Sequence, residues 1–236
     1  VEVGLERAEI DTPHGPLVYW SGGEGPPLLL IHGTGHQAGV WADTAAALMA
    51  DYRVLVPDLP GHYQSEPRSG PLEMAVLYGG VEALVAAEAA DRPAILIGNS
   101  LGGWLAMIQA HRHPESVARL IAVNGGGLFN DPGELNLVPP DRAAARKLVS
   151  ALRDPASEEV PDFVLDDLVQ RSPDGPAARM MLDWEGLKAH LLDGRLGEIP
   201  VPVDLVWGES DRLMKLDYAR RLEAELPRAR LTTIPS

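Results

Sequence analysis

The 236-residue chain has no cysteine. That excludes a disulfide scaffold, a cysteine-ligated zinc or iron–sulfur centre, and a thiol nucleophile. No apolar run approaches the roughly 18 residues of a membrane span, so no membrane association is expected. No internal repeat and no low-complexity tract occurs. No basic-then-apolar leader opens the chain, which begins Val1-Glu2-Val3 without an initiator Met; the expectation is a cytoplasmic protein with a processed or trimmed N-terminus. Positive charge is scarce: 20 Lys and Arg stand against 34 Asp and Glu, for a formal net charge of −14. A surface that negative repels phosphate backbones, so nucleic acid is not an expected partner. The remaining composition, 45% hydrophobic and 23% charged, is ordinary for a globular chain long enough to bury a full core.

Short apolar runs at 5–10 and 17–20 flank a turn-rich segment and read as an antiparallel hairpin. Continuous apolar runs at 28–31, 54–56, 94–97, 120–123, 201–207 and 230–234 read as strands covered on both faces. Helical patterns at 43–50, 74–90, 101–113 and 215–226 alternate with them. This rhythm predicts an α/β fold: a mostly parallel sheet with helices on both faces and the hairpin at its edge. Between Gly125 and Pro200 the rhythm breaks, and three helices are predicted at 141–152, 157–170 and 177–192. In the last, Met180, Trp184, Leu187 and Leu191 form one apolar stripe, read as core with part of it facing a pocket as the alternative.

Gly98-Asn99-Ser100-Leu101-Gly102 fits G-x-S-x-G between a predicted strand and a predicted helix. A sharp turn there pushes the Ser100 hydroxyl above the sheet edge, at a helix N-terminus that favours developing negative charge. The Leu101 N–H can then point at an oxyanion. The turn His32-Gly33-Thr34-Gly35 follows another strand, and the Thr34 N–H is the candidate second donor. Asp211 lies just past the strand at 201–207, where a carboxylate can orient an imidazole; Glu209 is the fallback, and Asn124 occupies a comparable strand end without charge.

These segments, in this order, resemble the α/β-hydrolase superfamily. His32-Gly33, Asp58-Leu-Pro-Gly-His62 with Ser65, Gly98-Asn-Ser100-Leu-Gly-Gly103 and Trp207-Gly-Glu-Ser-Asp211 all look like its signatures, and the likeness covers nearly the whole chain. The resemblance implies Ser100 as nucleophile, Asp211 as triad acid, Thr34 and Leu101 as the oxyanion hole, and no cofactor. It also implies a core of 1–124 and 199–236 carrying a helical cap of 125–198. His36, Trp104 and Trp184 are candidate pocket residues.

The family's base is a histidine after the last strand, and no histidine follows His190. The expectation is a chain truncated before that histidine. The alternatives are His36 as a substitute base, or a non-catalytic relative. His32 and His62 sit in turn motifs and read as structural. His111 and His113 lie at a helix end, and His14 and His190 read as surface or cap residues. No pair shows metal-ligand spacing, so no metal is expected. The expected function is hydrolysis of a small apolar ester by acyl transfer on a small-molecule substrate. Carbon–carbon bond hydrolysis of a diketone-like compound, or binding on a hydrolase scaffold, are the alternatives.

Overall fold

The structure, a computed structural model, describes residues 4–235. Eight strands form one sheet: β1 (Glu6–Thr12), β2 (Gly15–Gly22), β3 (Pro27–Ile31), β4 (Arg53–Pro57), β5 (Ala94–Asn99), β6 (Val117–Val123), β7 (Val203–Gly208) and β8 (Ala229–Ile234). Their spatial order is β1-β2-β4-β3-β5-β6-β7-β8. β1 and β2 form the expected hairpin and join β4 antiparallel. Every other pairing is parallel.

Side chains alternate across each strand, so each strand serves two faces. Leu28, Leu30, Val54 and Val56 pack with Ala45 of α1 (Ala42–Leu48). Leu29, Ile31, Leu55, Leu96 and Leu205 pack on the other face with α2 (Met74–Glu88), α3 (Leu101–Arg112) and α8 (Leu216–Glu225). β3 is buried throughout, as its continuous apolar run predicts. β5, β6, β7 and β8 differ from that expectation: burial alternates along β5, β7 and β8 and from Leu120 onward in β6. Ile95 and Ile97 of β5 pack against the cluster that holds Ala45 but stay half-buried, as do Ile121, Val123 and Val206 further along the sheet.

Between β6 and β7 lie α4 (Arg142–Ala151), α5 (Asp162–Arg171), α6 (Pro176–Met181) and α7 (Trp184–Lys188). α5 starts later than predicted because Pro161 disfavours helix in the residue before it. The helix predicted over 177–192 is broken in two. Asp183 leaves the helical region at φ −128°, ψ 40°, and its carboxylate folds over Gly186, where a Cβ would meet Oδ2 at 2.2 Å. The apolar stripe survives the break: Met180 and Leu187 are buried, and Trp184 and Leu191 pack against the core. The two ends of this insertion lie side by side, with Leu192 N donating to Gly127 O at 2.7 Å. The Tyr218 hydroxyl accepts from Leu128 N (2.7 Å) and donates to Leu128 O (3.1 Å). No described helix is long and apolar enough to cross a membrane.

Candidate active site

β5 ends at Asn99 and α3 begins at Leu101, so Ser100 alone makes the turn, at φ 51° and ψ −115°. This conformation lies outside the regions that L-residues favour and stores on the order of 1–3 kcal/mol of strain. The local sequence permits it. A Cβ at Gly98 would lie 2.3 Å from Gly102 O, and one at Gly102 would lie 2.3 Å from Ile31 O. Ser100 N donates to Val123 O (3.2 Å), and Ser100 O accepts from Gly126 N (2.9 Å) and Trp104 N (3.2 Å). The backbone of Ser100 is thus fixed, while its hydroxyl makes no capping bond to α3. The first amides of α3, Leu101 N–H among them, have no partner within the helix.

The turn after β3 packs against this serine: a Cβ at Gly33 would come within 3.1 Å of Ser100 Cβ. Thr34 follows, half-buried, its hydroxyl 3.8 Å from Met180 Sδ. His32 ties this turn to the loop after β4. Its Nδ1–H donates to Gly33 O (2.8 Å), and its Nε2 accepts from Leu59 N (2.9 Å). A backbone N–H can only donate, so Nε2 carries no proton and the ring is neutral. Burial, with His62 beside it, lowers its pKa to about 3. The His62 Nδ1–H donates to Pro60 O (3.0 Å), and burial lowers that ring to about 4. Asp58 accepts from Ala38 N (2.8 Å) and Gln64 N (3.1 Å), and burial raises its pKa.

On the loop after β7, Asp211 Oδ1 accepts from Leu213 N and Met214 N, both at 2.8 Å. Its Oδ2 accepts from Asn124 Nδ2 at 2.7 Å. Burial pushes the Asp211 carboxyl up, opposed by these three hydrogen bonds. Val123 holds the Ser100 backbone and Asn124 holds the Asp211 carboxylate, so consecutive residues of one chain segment bring the two sites to the same sheet edge.

No described histidine hydrogen-bonds to Ser100 or Asp211. His36 is exposed on its loop, and His14 is exposed in the β1–β2 turn. His111 faces Glu198 (2.7 Å), His113 faces Glu82 (3.0 Å) and His190 faces Arg112 (3.3 Å). Trp104 is a core residue whose Nε1–H donates to His190 O (3.2 Å), and Trp184 is half-buried on the core. Arg179 was not singled out from the sequence. It is 7% exposed, and its guanidinium donates to the carbonyls of Gly61, Pro67, Ser69 and Gly70 at 2.8–3.1 Å. Its one signal was a charge amid the apolar residues of a short helix.

Residues 26–236 match the family described as the alpha/beta hydrolase fold, and the chain belongs to that family. It is 30% identical to the pimeloyl-[acyl-carrier protein] methyl ester esterase of Vibrio cholerae, over 89% of this chain and 86% of that protein. It is 28% identical to the 2-hydroxy-6-oxo-6-phenylhexa-2,4-dienoate hydrolase of Burkholderia cepacia, over 90% of this chain and 81% of that one. Among solved structures, the meta-cleavage product hydrolase of Pseudomonas fluorescens IP01 superposes with a TM-score of 0.80 at 25% identity, covering 99% of this chain and 90% of that chain.

Proposed function

We propose that the protein is a serine hydrolase of a small, apolar carboxylic ester. The observation that carries this reading is Ser100 itself. Its backbone is held in a strained turn at the start of a helix, its hydroxyl is left out of the helix cap, and a half-buried carboxylate, Asp211, stands past the end of β7, two strands away at the same sheet edge.

Ser100 Oγ attacks the ester carbonyl carbon as an imidazole takes its proton. The Thr34 and Leu101 N–H groups stabilise the oxyanion, each worth on the order of 3 kcal/mol in the transition state. The imidazolium returns its proton to the leaving alcohol, and water then releases the acyl group by the same route. Asp211 orients the imidazole and stabilises its charged form. No described histidine hydrogen-bonds to Ser100 or Asp211, and the imidazole of this reading belongs to a histidine outside the described residues. The inserted helices α4–α7 act as a cap, with Met180 against Thr34 marking where they meet the site.

Carbon–carbon bond hydrolysis is the second reading, favoured by the dienoate hydrolase among the relatives. A dienoate carries a carboxylate that needs a cation. Arg179, the buried cation next to Met180, is committed to four backbone carbonyls, which weighs toward a neutral ester.

The test is covalent labelling of the full gene product with a fluorophosphonate, alongside turnover of a chromogenic ester and of a ring-cleavage dione. Labelling and ester turnover that vanish together in S100A support the reading, and D211N is expected to lower kcat about 10⁴-fold. Dione turnover without ester turnover selects the second reading. A folded protein that is never labelled and turns over neither compound is a binding protein on this scaffold.

A further inference from the structure

Asn124 is half-buried at the end of β6 with φ 42°, a left-handed conformation that asparagine tolerates better than most residues. Its backbone N–H continues the pairing with β7 by donating to Val206 O (3.0 Å). Its side chain then reaches past Val206 to the C-terminal end of β7 and the loop beyond. Asn124 Oδ1 accepts from Gly208 N at 3.1 Å, and Nδ2 donates to Asp211 Oδ2 at 2.7 Å. The amide cannot be turned around: Gly208 N–H can only donate, so the oxygen must face it and the NH₂ must face Asp211.

A carboxylate offers about four lone-pair directions. In Asp211 three are taken: two on Oδ1 by Leu213 N and Met214 N, and one on Oδ2 by Asn124. Among the described residues, one direction on Oδ2 remains. We propose that Asn124 is a positioning residue, which fixes the Asp211 carboxylate so that this single open lone pair meets the imidazole of the base. The proposal rests on the reading of Ser100 and Asp211 given above. The hydrogen bonds of the Asn124 side chain go to Gly208 and Asp211. It acts through Asp211 and sets the direction from which the ring is held.

Two substitutions separate this role from a merely space-filling one. N124G removes both side-chain bonds and suits the positive φ. N124D keeps the shape but replaces the NH₂ donor with a second carboxylate oxygen facing Asp211. Ester turnover, melting temperature and fluorophosphonate labelling are measured for both, beside wild type, S100A and D211N. The expected result is a 10- to 100-fold fall in kcat for N124G, with KM within about twofold and melting near wild type. N124D is expected to lose at least as much kcat, although it fills the same volume. A space-filling role gives N124D wild-type kcat, and that result overturns the proposal. So does loss of fold in both variants, which would make the residue structural. If S100A and D211N keep full activity, the hydrolase reading itself fails. If they are inactive while both Asn124 variants work normally, only the present inference fails.

Discussion

His32 and His62 sit under the site with neutral, buried rings, and this makes stability depend on pH. Their folded-state pKa values of about 3 and about 4 lie below the ordinary value of 6.5. Above pH 6.5 both folded and unfolded chains leave these rings neutral. As pH falls below that point, the unfolded chain takes up protons that the folded one refuses, and stability is lost toward the folded pKa values. Each ring contributes a slope of about 1.4 kcal/mol per pH unit. Asp58 and Asp211, raised by burial, act with the opposite sign in the carboxylate range. The urea midpoint is therefore expected to drop between pH 7 and pH 5, and H62F is expected to flatten that drop by about half. An H62F profile parallel to wild type would contradict this account. The turn motifs around His32 and His62 were legible as structural from sequence. The Asn124–Asp211 bridge was not, because it joins residues 87 apart that only the β6–β7 pairing brings together.

At the scale of elements, the strand–turn–helix around Ser100 was readable because its glycines answer to local sterics. A Cβ on Gly98 meets backbone, Gly102 O at 2.3 Å and Gly103 N at 2.5 Å, and backbone cannot step aside. G98A is expected to destabilise by more than about 3 kcal/mol, seen as a lower denaturant midpoint or loss of soluble protein. The inserted helices were harder to read. Their apolar stripe was visible, but the kink at Asp183 depends on where one carboxylate folds, and the anchoring of α6 depends on a distant loop. Arg179 supplies that anchor. R179M would leave the carbonyls of Gly61, Pro67, Ser69 and Gly70 without it. The expected loss is about 2–4 kcal/mol in urea unfolding, with faster proteolysis across 61–70. R179K is expected to recover only part, since an ammonium lacks the planar fork.

For the whole molecule, alternating strand and helix patterns made the parallel sheet legible, but not its strand order. That order follows from crossovers spanning tens of residues, as where β3 pairs with both β4 and β5. Nor did the runs at β5 and β7 reveal their alternating burial, because apolar content does not say which helix covers which face. The charge of −14 has a consequence at this scale. An anionic ester is expected to gain about two- to tenfold in kcat/KM as ionic strength rises from 10 to 200 mM, while a neutral ester stays flat. Equal salt response for both substrates would show that the site does not feel the molecule's field.

The strands on either side of the insertion never have to stretch to admit it. The Leu192 N–H hydrogen-bonds to the Gly127 carbonyl across the gap, and Tyr218 grips Leu128 beside it. Whatever hangs from that doorway can lengthen, shorten or change its sequence without disturbing the threshold. The inserted helices can thus be refitted while the scaffold beneath stays the same.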